Sequence, residues 1–407
     1  MKRNIIFLFI FSLLISIGVF AQKSSKPDVP YLVVLSLDGF RWDYPSKTST
    51  PNLDYIARQG VKAYSLRPSF PSVTFPNHYT MATGLYPDHH GIVNNGFFDP
   101  KTGKTYSMTD NSREDTYFYG GEPIWVTAEK QGIKTASYFW VGSEVAIENI
   151  RPYYWKRYEQ DFPFRQRIDT VIAWLNLPEE KRPHLIMWYI HEPDKSGHYF
   201  GPDNRKTLSM VNQLDSLVGI FINQVKNLPI ASKVNIIITS DHGMCPTSND
   251  RVIVLSDFVN KDWFDHIQGY NPVLNLDVKD SLIDSAYNRI KKIPHLSVWK
   301  HGKLPKKLHY GSNQRTLDLI VLADSSWSVN WQNSKTYRGG THGYDINNTD
   351  VHGIFYAMGP DFKQGFVQPT FDNVDLYSIF SRVLSVKPVK TDGSLKKVKG
   401  MFKEVKR

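Results

Sequence analysis

The stretch YLVVLSLDGF, residues 31–40, decides the fold. It is a run of aliphatic and small residues with no polar alternation, and it stops on Asp38-Gly39. A strand that shows no in–out alternation is buried on both faces, which is the pattern of a parallel sheet covered by helices. Comparable runs recur at 134–141 (KTASYFWV), 184–190 (HLIMWYI), 234–240 (VNIIITS), 317–323 (LDLIVLA) and 352–358 (HGIFYAM). Amphipathic helical stretches fall between them at 50–59, 165–175 and 205–226, the first with Thr50 as N-cap and Pro51 at the first helical position. This alternation predicts an α/β fold with a mostly parallel sheet and helices on both faces.

In such sheets the chemistry collects beyond the carboxyl ends of the strands. Asp38 follows the first run, Asp194 and His198 follow the third in HEPDKSGH, and Asp241 and His242 follow the fourth in SDHGM. His342 stands in a glycine-rich turn, GGTHGYD. Each has an ordinary reading of its own: a turn Asp beside Gly, an N-cap Asp with a surface His, a solvated loop His. Together, three carboxylates and three imidazoles supply two half-sites of oxygen and nitrogen donors, a mixture that suits zinc better than calcium or magnesium. Two such ions a few Å apart clamp the attacking and leaving oxygens of a phosphoryl transfer.

Thr74, in PSFPSVTFPNHYT, is the expected nucleophile. Its hydroxyl needs a metal to lower its pKa, and Phe75-Pro76 suits a helix start whose dipole would face phosphoryl oxygens. The plainer role for Thr74 is an N-cap. Asn95, in GIVNNGFF, is either a donor to a phosphoryl oxygen or a turn residue before Gly96. His78, His89 and His90 are expected to make local hydrogen bonds.

The first residues, MKRNIIFLFIFSLLISIGVFAQ, place Lys2 and Arg3 before an apolar run from Ile5 to Phe20 and a small-residue site ending at Ala21. Residues 1–21 are expected to be a signal peptide; the other reading is a membrane anchor, for which the run is short. No later segment is apolar enough to span a bilayer. Residues 22–30 form a polar linker. Cys245 is the single cysteine, so no internal disulfide exists, which fits a bacterial periplasmic or surface setting. Its position beside Asp241 and His242 allows a ligand role, but packing is the expected one. The net charge of +10 owes much to eight Lys or Arg from Lys387 onward. That points to a solvated basic end, not to a nucleic-acid groove, and its field favours anionic substrates.

These segments in this order resemble the nucleotide pyrophosphatase/phosphodiesterase family of the alkaline phosphatase superfamily. The likeness rests on VLSLDGFRWDY, PSFPSVTFPNHYTMATGLYPDHHGIVNN, RPHLIMWYIHEPDKSGHYFGP, IIITSDHGM, THGYD and FYAMGPDFK. It implies an alkaline phosphatase-like domain over 31–400, an α+β insertion at about 244–338 and a basic tail at 401–407. It further implies two Zn2+, one held by Asp194, His198 and His342, the other by Asp38, Asp241, His242 and the nucleophile Thr74. Asn95 matches the phosphate-binding asparagine, and Phe75, Tyr158 and Tyr189 fall where the family holds a base between rings. His191 stands where many members have Glu, which bears on substrate preference.

The expected function is a secreted or periplasmic phosphodiesterase/pyrophosphatase acting on small nucleotide substrates through a covalent threonine intermediate. A choline-type lysophospholipid phosphodiesterase and a phosphomonoesterase are the neighbouring alternatives. A sulfatase is excluded by the absence of a C/S-x-P-x-R segment, and a binding protein without catalysis would not need the complete ligand set.

Overall fold

The computed structural model describes residues 29–332 and 337–404. The expected signal peptide and most of the linker lie outside the described residues. The core is an eight-stranded sheet. Its strands are β1 (Tyr31–Leu37), β2 (Val61–Ala63), β3 (Thr135–Tyr138), β4 (Tyr154–Lys156), β5 (Leu185–Ile190), β6 (Val234–Thr239), β13 (Phe355–Met358) and β14 (Phe366–Gln368), in the spatial order β14-β2-β13-β6-β1-β5-β3-β4. The centre, β6-β1-β5-β3, is parallel throughout. The run at 352–358 is shorter than its apolar length and enters antiparallel to both neighbours. Strands β1, β5 and β6 are buried along their whole length, as the missing alternation requires.

Among the helices are α1 (Pro51–Gln59), α2 (Thr74–Thr83), α3 (Phe164–Leu175), α4 (Asp194–Phe200) and α5 (Arg205–Lys226), with α6 (Ile283–Ile290) in the insertion. Thr50 occupies the N-cap position of α1, but its hydroxyl makes no capping bond and is buried without a partner. The cap comes instead from α5: the Asp215 carboxylate accepts the N–H groups of Asn52 and Leu53 at 3.2 and 2.8 Å. A carboxylate on those orphan donors also complements the helix dipole.

Between β6 and β13 the chain builds a second unit with its own apolar core. Four antiparallel strands, β8 (Phe264–Tyr270), β9 (Val273–Val278), β10 (Leu296–Lys300) and β11 (Leu319–Ala323), run in the order β8-β9-β11-β10. The apolar run LDLIVLA therefore belongs to this sheet, not to the central one. Two short strands, β7 (Cys245–Thr247) and β12 (Gly339–Thr341), pair antiparallel and tie its two ends together. The basic end is not a free tail: Val398, Met401 and Phe402 are buried, and Phe402 stacks on Phe362. Lys397 pairs with Asp372 at 3.0 Å.

Candidate metal centre and substrate cleft

Because β6, β1 and β5 are adjacent and parallel, their carboxyl ends deliver three loops to one place. Asp38 leaves β1, Asp241 and His242 leave β6, and α4 opens with Asp194 and carries His198 one turn later. His342 follows β12, whose pairing with β7 returns it to the loop after His242. Gly39 makes the closest approach possible. Its φ is +64°, and a Cβ there would stand 2.8 Å from the Asp194 Cβ, so only glycine lets these two ligand loops touch.

The hydrogen bonds fix the tautomers. His198 Nδ1 faces the Gly340 carbonyl at 2.8 Å, His342 Nδ1 faces that of Ser72 at 2.8 Å, and His242 Nδ1 faces that of Gly243 at 2.9 Å. A carbonyl only accepts, so each Nδ1 carries the proton and each Nε2 presents a lone pair. Those lone pairs converge. His198 Nε2 and His342 Nε2 are 3.0 Å apart, and they lie 3.4 and 3.5 Å from the Asp194 carboxylate oxygens. His242 Nε2 lies 3.1 Å from Asp241 Oδ2, 3.4 Å from Asp38 Oδ1 and 3.2 Å from the Thr74 hydroxyl.

The carboxylates are arranged to match. Tyr189 donates its hydroxyl to Asp38 Oδ2 at 2.5 Å, and the Gly39 N–H donates to Asp241 Oδ1 at 3.2 Å. The opposite oxygens, Asp38 Oδ1 and Asp241 Oδ2, together with Asp194 Oδ1, are buried and make no hydrogen bond, although His78 Nδ1 lies 3.3 Å from Asp241 Oδ2. Buried acceptors facing other acceptors are repulsive unless a cation sits among them. The residues therefore fit a divalent metal with imidazole and carboxylate ligands. The ligand atoms fall into two close groups, Asp194–His198–His342 and Asp38–Asp194–His242. Asp194 reaches into both, a proximity the sequence did not indicate.

Charge at the centre is strained without a cation. Burial, then Asp241 and Asp194, push the Asp38 carboxyl well above the usual carboxylate range. Burial, then His242 and His198, hold the His342 imidazole well below the usual histidine range.

Thr74 is the first residue of α2, with Val73 at the cap position, so it is not the N-cap. Asn95 accepts the Phe75 N–H on Oδ1 at 2.9 Å, which leaves its amide NH2 as the end able to donate. His78, one turn after Thr74, is fully buried: Nδ1 faces the Thr74 carbonyl at 3.0 Å and Asp241 Oδ2 at 3.3 Å, and Nε2 faces Ser36 Oγ at 2.9 Å. It therefore links α2, β1 and a ligand, a larger part than local bonding. His90 bonds Thr80, ten residues away, as local bonding requires, whereas His89 pairs with the distant Asp392. Cys245 is buried and accepts from Asn348 at 3.1 Å, so it packs and does not ligate.

Beside the centre opens a cleft of about 920 Å³ with Thr74, Asp38, Asp194 and His198 at one end. Its walls include Phe75, Phe139, Trp140, Tyr158 and Tyr189. Tyr158 is half-buried, packs edge-on to Phe139 with ring centroids 5.3 Å apart, and burial followed by the Asp38 charge pushes its phenol up to about 12. Tyr189 is 9% exposed, its ring set edge-on to His78 and its hydroxyl committed to Asp38. That leaves it as a wall and a brace for Asp38 more than a free stacking face. His191 lines the same cleft, and burial with the nearby Arg167 lowers it to about 4, so it is neutral near pH 7. Arg167, buried in α3, donates to the Tyr189, Gln160 and Phe162 carbonyls and fixes the Tyr158 loop over β5. Sequence reading missed Arg167 and the bridging part of His78, since a single polar residue in a helix carries no sign of distant partners.

Fold and site together define an α/β enzyme whose strand ends gather a cluster of Asp and His residues able to hold a metal beside a helix-borne hydroxyl. The family model for type I phosphodiesterase / nucleotide pyrophosphatase matches residues 32–345, and the chain belongs to this family of hydrolases. An uncharacterized pyrophosphatase/phosphodiesterase of Schizosaccharomyces pombe is 36% identical over 89% of this chain and 78% of that protein. The bovine ectonucleotide pyrophosphatase/phosphodiesterase family member 3 is 33% identical over 92% of this chain, which spans only 44% of that relative's length. Among solved structures, the murine ectonucleotide pyrophosphatase/phosphodiesterase 5, an inactive variant in complex with AMP, superposes with a TM-score of 0.88 at 32% identity, covering 92% of this chain and 100% of that one. Its fold is alkaline phosphatase-like.

Proposed function

We propose that this chain is a secreted, zinc-dependent phosphodiesterase that hydrolyses nucleotide phosphodiester and pyrophosphate bonds, with Thr74 as nucleophile. The observation that carries the reading is the donor set: three imidazole lone pairs and three buried carboxylate oxygens that make no hydrogen bond converge beside the Thr74 hydroxyl, with neighbouring donor atoms 3.0–3.5 Å apart. Asp194, His198 and His342 would hold one ion, and Asp38, Asp241 and His242 with Thr74 the other. Bound zinc supplies positive charge that acidifies a hydroxyl and offsets charge on phosphoryl oxygens. Thr74 Oγ gives up its proton to solvent and attacks phosphorus; a Thr74–O–P ester forms as the bond to the leaving alcohol or phosphate breaks, and that group takes a proton from solvent as it leaves. Water then hydrolyses the ester and restores Thr74. The Asn95 amide donates to a non-bridging oxygen.

Phe75 and Tyr158 are proposed to hold a nucleobase, with Tyr189 behind them. The aromatic walls fit a flat apolar ligand, and a structural relative holds AMP. The signal-like residues 1–21 and the ecto-enzyme names of relatives support export. Chelation tests the metal reading. Purified protein should carry about two zinc ions, lose turnover of bis-p-nitrophenyl phosphate on stripping and regain it with zinc. Full turnover by the stripped protein would refute it.

A further inference from the structure

Arg41 lies three residues beyond Asp38 and is 2% exposed. Its guanidinium reaches four segments. Nε and Nη2 fork onto the Asp43 carboxylate at 2.6 and 3.2 Å; Nη2 also meets Asp203 at 2.9 Å; Nη1 donates to the Met244 carbonyl at 3.0 Å and lies 3.7 Å from Asp350. Asp43 belongs to the Asp38 loop, Met244 follows Asp241 and His242, Asp203 follows the helix of Asp194 and His198, and Asp350 follows His342. The backbone repeats the linkage: the Trp42 N–H donates to the His352 carbonyl, Gly243 to that of Val351 and Met244 to that of Asp350. Gly243 is pressed into this junction, for a Cβ there would lie 2.2 Å from the Asp350 carbonyl and 3.1 Å from Arg41 Cγ.

None of these acceptors is itself one of the converging ligand atoms. Arg41 instead touches the stem of each loop that carries a proposed carboxylate or imidazole ligand. A planar fork satisfies such divergent acceptors at fixed angles, and an ammonium does not. Resting on the metal reading above, we propose that Arg41 is the positioning residue that sets the spacing of the ligand loops and so governs how firmly the centre holds its metal.

The test uses the full-length protein loaded with zinc, with release followed on adding a chromogenic chelator. Arg41→Lys keeps the charge but loses the fork, and should release zinc on the order of ten- to a hundredfold faster, the usual effect of removing an outer-shell support. Asp203→Asn removes one exposed arm and should speed release by less. With cobalt(II) in place of zinc, the Arg41→Lys spectrum should report altered coordination, and kcat on bis-p-nitrophenyl phosphate should fall more than KM rises. Arg41→Met leaves buried partners unpaired and is informative only if it folds; Arg41→Lys and Asp203→Asn keep the proposal exposed. If the wild type binds zinc and Arg41→Lys releases it at the same rate with an unchanged cobalt spectrum, the proposal is wrong while the metal reading stands. If the wild type binds no zinc, both fall.

Discussion

Thr74 carries the strictest test among single residues. Its hydroxyl sits 3.2 Å from His242 Nε2 at the start of α2. Thr74→Ala should abolish turnover while zinc content stays at the wild-type level, with a rate loss of several powers of ten. A variant keeping a tenth of the rate, a barrier change of only about 1.4 kcal/mol, would remove Thr74 from the reaction. Tyr158→Ala should lower kcat/KM for a nucleotide diester roughly tenfold, since one stacking face is worth about 1–3 kcal/mol. It should leave bis-p-nitrophenyl phosphate, which has no base, nearly unaffected; equal losses on both would make Tyr158 a packing residue. The converging Asp and His residues were legible in sequence because each lies just beyond an apolar run or in a marked glycine-rich turn. Arg41, His78 and Asp215 were not. Their partners lie up to 309 residues away along the chain (350 − 41), and a polar residue's partner is a property of the fold.

At the level of elements, β12 is what returns His342 to the centre, and its pairing with β7 is short. His342→Ala should lose the ion shared with His198, while Asp194→Ala should weaken both sites because its carboxylate belongs to both ligand groups. Metal analysis of the two variants separates these outcomes: equal zinc in both would contradict the shared position of Asp194. The turn after α2 gives a pH prediction. His90 is fully buried, its Nδ1 accepts the Ile92 N–H at 3.1 Å and its Nε2 faces Thr80 at 3.0 Å, so only the neutral ring satisfies both. Burial lowers its pKa to about 3. The folded value lies below the unfolded one, so its contribution is intact above about pH 6.5 and is lost as pH falls toward 3. The slope is about 1.4 kcal/mol per pH unit for one proton. Melting temperature should fall less steeply from pH 6 to 4 in a His90→Asn variant that folds; parallel curves would contradict this. Helix 205–226 was legible residue for residue, because its apolar stripe is long. The run at 317–323 looked like a central strand and is not, since apolar continuity reports burial and cannot say in which sheet.

For the whole molecule, the parallel centre was legible because three apolar runs lack polar alternation and each is followed within a few residues by Asp or His. The packed carboxyl end was not, because Met401 and Phe402 are two apolar residues among lysines and only the assembled fold offers them the Phe362 surface. The cleft joins the two levels: the Asp and His cluster that lines it follows strand ends, and its aromatic walls come from a strand (Tyr189), a helix (Phe75) and loops (Phe139, Trp140, Tyr158). What such a cleft selects is the central question, and one comparison answers it most directly. The kcat/KM of the zinc-loaded full chain should be measured on p-nitrophenyl thymidine 5′-monophosphate, p-nitrophenyl phosphate and p-nitrophenyl phosphorylcholine. Stacking on the nucleobase should place the thymidine ester first by about tenfold or more. A higher value on phosphorylcholine or on the monoester, with little turnover of the nucleotide, would contradict a nucleotide phosphodiesterase.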